Sequence, residues 1–293
     1  MAALRRKKRF PRHRRLKWGR VMLYVFMTAV AAFMAMPIIY LVSSAFKPIE
    51  ELFVFPPRFF VQHPTTRNFV ELLLAVSGSS VPFSRFAFNS VFVSSVTVLG
   101  SVVLSSMAAY PLAKHRFPGK DLIFLGIVSA LMFAPEVTQI PRYLVVNKLG
   151  LIDTYGALII PNLAGALGLF LTKQFLEQIP GVLLEAARVD GASEWTVFTK
   201  VIMPIIKPAC ATVAMLVFVA SWNDTFSPLV FTRSEAMKTL PLAVQTIAGG
   251  PGVVARTGAV MAASFVLTMP TIVVFLLLQR LVLETMVHSG IKA

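Results

Sequence analysis

Glu185-Ala186-Ala187-Arg188-Val189-Asp190-Gly191, separated by nine residues from Val201-Ile202-Met203-Pro204, lies in a polar interval between two membrane-length apolar runs. Pro180 is pre-set for a first helical turn. Val182 to Val189 carries helix formers, with Ala186 and Ala187 small enough for another backbone to approach closely. Gly191 permits a turn that a side chain would resist. Ser193 is placed to cap a second short helix through Trp195-Thr196-Val197-Phe198, which Pro204 is expected to end. The interval therefore predicts a rigid knob of two short helices joined by a glycine elbow. Glu185 is its charged handle, and Trp195 and Phe198 are apolar contacts of the kind found in interface cores.

The composition on either side makes the bilayer the solvent of this chain. With 293 residues, 56% hydrophobic and 14% charged, and a mean hydropathy of +0.75, it is too apolar for a soluble domain. A span needs roughly 20 mostly apolar residues, and six segments qualify: 19–46, 86–110, 122–144, 155–175, 208–231 and 257–283. Pro161, Asn162 and the glycines between 156 and 168 weaken the fourth, as expected of tight packing or of a break beside a cavity.

Six spans put both termini on one side, which then holds 19 of the 28 Lys and Arg residues against nine on the other. The positive-inside bias places both termini and the knob in the cytoplasm. The organisation expected is a basic tail (1–20), a transmembrane domain (21–283) with a cytoplasmic loop at 179–207 and an outer loop at 232–256, and a cytoplasmic tail (284–293).

The net charge of +15 is concentrated in that first segment, which has ten basic and no acidic residues. Such a run is able to bind nucleic acid, but no folded readout module follows and an apolar stretch begins at Val21, so anionic headgroups are the expected partner. The stretch exceeds a signal-peptide core and is read as a retained span. Catalytic constellations are missing. Cys210 is the single cysteine, and His13, His63, His115 and His288 fall in four separate segments. No Gly-x-x-x-x-Gly-Lys-Ser/Thr loop occurs, so ATP is not expected to bind this chain.

Polar residues inside the spans need a reason. Trp222, Asn223 and Asp224 sit near the outer half of the fifth span, where they suit either a substrate path, with Trp222 stacking on a sugar ring, or helix packing. Glu136, Gln139 and Tyr143, around Pro135 and Pro141, raise the same question at the outer end of the third.

The Glu-Ala-Ala, Gly and Pro spacing resembles the coupling loop of ATP-binding cassette (ABC) importer permeases, with Val201 for Ile and Met203 for Leu. Three further segments look like the maltose-type carbohydrate branch, and most like the smaller, six-span permease of its pair: Ala109-Tyr110-Pro111 through Lys120, Trp222-Asn223-Asp224, and Gln279-Arg280-Leu281 running to Ser289-Gly290-Ile291-Lys292. Pro111 replaces an expected Ala, and the basic arm is longer than usual. The resemblance implies an all-α type I importer fold in a prokaryotic inner membrane, with no cofactor on this chain and ATP and Mg on a partner ATPase. It implies a second homologous permease, two ATPase subunits, an extracytoplasmic binding protein and an oligosaccharide as partners. Glu185, Ala186, Ala187, Asp190, Gly191, Trp195, Phe198 and Pro204 would couple to the ATPase. Trp222, Asn223, Asp224, Gln139 and Tyr143 would line the path, and Gly249, Gly250, Pro251 and Gly252 would meet the binding protein. Ser289, Gly290 and Lys292 would contact the ATPase pair.

Three alternatives remain open on the residues: an importer of a non-sugar solute, a secondary transporter and a membrane scaffold. A secondary transporter ought to show an inverted repeat and several intramembrane ionisable residues, where Asp224 alone is clear. A scaffold would not require the glycine elbow at its spacing.

Overall fold

The computed structural model describes residues 18–77, 81–249, 252 and 254–290, without the side chains of 76–77 and 284–290. Among these residues the chain is helical and contains no strand. Four helices are long and apolar enough to cross a membrane unaided, at Trp18–Ala45 (α1), Phe83–Lys114, Tyr155–Glu177 and Thr257–Leu283, and two bent helix pairs raise the number to six. In chain order after α1 come Arg67–Ser77 (α2), Phe83–Lys114 (α3), Lys120–Ala130 (α4), Pro135–Lys148 (α5), Tyr155–Leu163 (α6) and Ala166–Glu177 (α7). They are followed by Val182–Val189 (α8), Glu194–Ile205 (α9), Lys207–Trp222 (α10), Phe226–Phe231 (α11), Leu240–Ala248 (α12) and Thr257–Gly290 (α13).

α3 is the axis of the bundle because its buried stripe is small and hydroxylated. Ser90, Ser94, Thr97, Ser101 and Ser105 recur at helical spacing, and all are buried. With no hydrophobic force between helices in lipid, small residues permit the close backbone approach that drives packing. Gly168 of α7 faces Ser105 and Val213 so closely that an added Cβ would stand 2.9 Å from the Ser105 hydroxyl. α6, α7 and α10 all pack on α3. By contrast, α1 exposes its large apolar side chains from Met22 to Tyr40 and buries only Ser43, Ser44 and Ala45.

Several expected boundaries change. The segment expected as the span 122–144 is two helices, α4 and α5, bent by 107° around Leu131–Ala134. Pro135 has no N–H to continue the ladder and bars Ala134 from the helical region, where its ψ is 139°. The fourth span does break, at Ala164 and Gly165 between α6 and α7. The span expected at 208–231 ends at Trp222; Asn223 to Thr225 leave the helix before α11 begins, so Asp224 lies in a break rather than inside a span. The loop expected at 232–256 contains α12, whose Leu240, Leu242, Val244 and Ile247 are buried, so it is no mere connector. Its entrance is fixed by side chains of α3: Asn89 Nδ2 donates to the carbonyls of Ala236 and Lys238, both at 2.8 Å, and Leu240 N donates to Ser90 Oγ at 2.8 Å.

Candidate functional site

The knob forms from its sequence with few surprises. α8 covers Val182–Val189 and ends in a Schellman arrangement: Ala192 N donates to Ala187 O and Gly191 N to Arg188 O, each at 3.0 Å, with Gly191 at φ +81°. Ser193 caps α9, its Oγ accepting from Thr196 N at 3.3 Å. Pro204 does not end this helix. Val197–Ile202 widens into a π turn, with Met203 N bonded to Phe198 O, and the chain runs on to Ile205. The wider turn accommodates a proline that lacks a donor and crowds the carbonyl four residues back. α9 then turns by 74° at the buried Ile206 directly into α10.

Glu185, Ala186, Asp190, Gly191 and Trp195 lie on the exposed face of the knob, Trp195 with 63% of its surface free, and Ala187 is half-buried. Phe198 is not on that face. It is buried in the cluster of Ala109, Leu176, Ile179, Leu184, Val197 and Ile202, with its ring 5.6 Å from that of Tyr110. It seats the knob on α3, α7 and their neighbours, leaving no surface for a partner.

Sequence reasoning missed Glu194, which ties the knob together. Its Oε1 accepts from Arg188 Nε at 2.8 Å, and its Oε2 accepts from the Tyr110 hydroxyl at 3.0 Å and lies 3.3 Å from His115 Nε2. The Arg188 bond holds the carboxyl below the ordinary glutamate value; desolvation opposes this and the Tyr110 bond assists it. Lys114 Nζ adds a bond to the Ile179 carbonyl at 2.5 Å. The available signal was that Tyr110 and His115 fall at the end of one long helix, but their partner Glu194, 84 residues on from Tyr110, is visible only in three dimensions.

At the far end of α10 is a cavity of about 230 Å³. Its polar lining is Thr97, Asn162, Ser221 and Asp224, and its apolar wall includes Leu167, Val213, Leu216 and Val217. Two helix breaks supply it, Asp224 after α10 and Gly165 between α6 and α7, and Asn162 comes from the last turn of α6 beside Pro161. Irregular backbone at such depth is tolerated where it lines a cavity. Asp224 Oδ1 accepts from Ser227 N at 2.9 Å and so caps α11.

Trp222 does not join this lining. It is buried, donates Nε1 to the Leu267 carbonyl at 2.9 Å and stacks on Phe218, so it packs α10 on α13 and is unavailable to a sugar. Asn223 is exposed and returns its Nδ2 to Val219 O. On α5, Gln139 is half-buried, Glu136 is exposed, and Tyr143 stacks on Phe231 at 6.3 Å. The residue of α5 that reaches the cavity's polar residues is Arg142, which the sequence reading only counted among outer basic groups. It donates to Asn162 Oδ1 at 2.7 Å and interacts electrostatically with Asp224.

A family model described as binding-protein-dependent transport system inner membrane component matches residues 101–287, more than half of the chain. The chain belongs to this family. The permease is 30% identical over 277 residues to the arabinooligosaccharides transport system permease protein AraQ of Halalkalibacterium halodurans, covering 94% of this chain and 97% of that one. It is 34% identical to the trehalose transport system permease protein SugB of Mycobacterium tuberculosis, over 72% and 77% of the two chains. It is 32% identical to the sn-glycerol-3-phosphate transport system permease protein UgpE of Yersinia enterocolitica, over 73% and 76%. Its fold matches a chain in the crystal structure of a bacterial ABC transporter involved in the import of the acidic polysaccharide alginate, with a TM-score of 0.76 at 24% identity, over 94% and 99% of the two chains. It is a multi-pass membrane protein with the all-α importer-permease fold.

Of the loop expected to meet a binding protein, Gly249 and Gly252 are exposed, Gly252 at φ +77°, while Gly250 and Pro251 lie outside the described residues of the permease. At the carboxyl end, Ser289 and Gly290 are the last two residues of α13, and Lys292 lies outside the described residues, as does the basic segment 1–17.

Proposed function

We propose that this permease is one half of a heterodimeric pathway that imports an oligosaccharide, driven by two ATPase subunits that dock on the knob. The observation that carries the reading is mechanical. The knob is bonded to the end of α3 through Tyr110, Lys114 and Glu194 and is continuous with α10, and α3 and α10 supply Thr97, Val213 and Ser221 to the cavity, with Asp224 just beyond the end of α10. The sixteen residues of α10 make a rod of about 24 Å between the two. A push on the knob therefore reaches the cavity through two stiff helices, as alternating access between permease halves requires.

On this reading ATP and Mg bind only to the partner ATPases, both termini and the knob face the cytoplasm, and an extracytoplasmic binding protein delivers the sugar to the opposite face near Gly249 to Gly252. Glu185, exposed at the centre of the α8 face, meets a basic site on the ATPase; Ala186, Asp190, Gly191 and Trp195 surround it. The carboxyl-terminal segment around Ser289, Gly290 and Lys292 adds a second contact to the ATPase pair. The substrate class rests on relatives whose names specify arabinooligosaccharides and trehalose.

The test is co-purification of the ATPase subunits from native membranes with a tagged permease, followed by transport in proteoliposomes. Wild type retains the ATPase and imports sugar in the presence of ATP. Glu185→Arg loses the ATPase while inserting normally, and deletion of the last six residues lowers coupling without loss of assembly. Sugar movement down an ion gradient without any ATPase would establish the secondary-transporter reading instead.

A further inference from the structure

The cavity at the end of α10 has a chemistry of its own. Thr97 is fully buried, lines the cavity, and its Oγ1 has no hydrogen-bond partner. A buried hydroxyl without a partner is costly and marks a place where a ligand or water belongs. Ser221 offers a second hydroxyl, whose contact with Ser94 Oγ is long at 3.5 Å. Asp224 gives one carboxylate oxygen to the Ser227 amide, leaving further acceptor capacity at the cavity.

Asp224 is also the one charged residue among those lining the space. Arg142, which is not among the lining residues, donates to Asn162 and lies within electrostatic reach of Asp224, so it weakens the repulsion that Asp224 exerts on an incoming anion without placing a cation on the cavity wall. An acceptor-only carboxylate and two hydroxyls, together with the apolar side chains of Leu167, Val213, Leu216 and Val217, offer a sugar ring both kinds of contact it needs: polar partners for its hydroxyls and apolar surface for its C–H groups. At about 230 Å³ the space falls below the roughly 300 Å³ where pockets for larger ligands begin, which is room for one ring.

We infer that this cavity is a subsite of the permease itself that seats one uncharged sugar ring and rejects a ring bearing a carboxylate or phosphate, with Asp224 as the discriminating residue. The inference rests on the importer reading above. The Asp224 charge alone disfavours an anionic substituent about 6 Å away by about a hundredfold at an effective dielectric of about 20, and a guanidinium about 10 Å from the same substituent returns part of this, leaving about 5- to 10-fold. Relatives whose cargo is acidic would need different chemistry at this position.

The experiment uses the complete complex in proteoliposomes, with a neutral trisaccharide and a triuronate of matched length as probes. In a Cys210→Ala background, Ser221→Cys is labelled with a thiol reagent in the presence of each sugar, and transport of each is measured at saturating binding protein. The neutral sugar protects the thiol and the triuronate does not. Asp224→Asn keeps the α11 cap, because an asparagine oxygen also accepts from Ser227 N. It shifts the uronate-to-neutral transport ratio upward about 5- to 10-fold, and Thr97→Val weakens protection by the neutral sugar about three- to tenfold. If wild type transports a sugar but Asp224→Asn leaves the ratio unchanged, or if the triuronate protects Ser221→Cys as well as the neutral probe does, the subsite is refuted and the importer reading stands. If the wild-type complex transports neither probe and neither stimulates its ATPase, the sugar-importer reading fails and takes the subsite with it.

Discussion

Replacing Gly191 separates a backbone requirement from a contact requirement at the knob. Gly191 closes the Schellman end of α8 at φ +81°, and no heavy atom lies within 4 Å of the place a Cβ would occupy. A side chain there meets open space, so the cost is conformational. The left-handed region costs an ordinary L-residue about 1–2 kcal/mol, with β-branched residues at the high end, while asparagine visits it with little penalty. Gly191→Val therefore lowers the population of the correctly turned elbow by about 5- to 30-fold relative to the open forms, and Gly191→Asn leaves it nearly unchanged. Because the elbow sits on the surface, the helical bundle is spared. Both variants should assemble, with thermal midpoints close to wild type in detergent. Sugar transported per ATP hydrolysed should fall about tenfold for Gly191→Val and stay within about twofold for Gly191→Asn. Equal loss in both would refute the conformational argument and show that the partner surface has no room for a side chain at this point. Normal coupling in Gly191→Val would mean that the elbow geometry is irrelevant to coupling.

Asn89→Ala removes a fully buried amide that bonds the Ala236 and Lys238 carbonyls and accepts from the Tyr155 hydroxyl, leaving three groups unpaired; a loss of about 3 kcal/mol is expected, and one below about 1 kcal/mol in a denaturant titration would show that water replaces it. Glu194→Gln keeps the shape of the clamp on Tyr110 and Arg188 but removes its charge, so coupling should weaken without loss of insertion. Since the folded Glu194 carboxyl titrates below its unfolded value, the wild-type clamp is at full strength above the ordinary glutamate pKa of about 4.3 and is lost as pH falls through the lower folded value. Hydrogen exchange of α8 that accelerates between pH 7 and 5 would contradict this. A cysteine at Ser193 should react with an impermeant thiol reagent only from the cytoplasmic side and one at Gly250 only from outside; reversed labelling would overturn the orientation.

The local code of the knob was legible because its signals are short in range. Pro180, the helix formers of 182–189, the positive-φ glycine and the Ser193 cap each act within four or five residues, and the elements appear where those residues put them. The existence and approximate position of the spans followed from hydropathy for the same reason, since lipid requires a continuous apolar run whatever packs beside it. What the linear pattern did not decide was where a run breaks and which way a side chain faces. The run 208–231 fits one span by overall hydropathy although Asp224 falls within it, and only the cap on Ser227, the neighbouring Arg142 and the space beside Asn162 make a break there favourable. Phe198 read as a free aromatic surface, and Trp222 stayed open between a sugar contact and helix packing, because exposure is a property of neighbours. The neighbours that bury them, Leu267 and Phe218 for Trp222 and Tyr110 and Leu184 for Phe198, come largely from elements distant in the chain. Thr97, Arg142 and Glu194 are unremarkable in sequence for the same reason: each acquires its chemistry from groups brought to it across helix interfaces, and that meeting is settled by the packing of small residues on α3 rather than by any local preference.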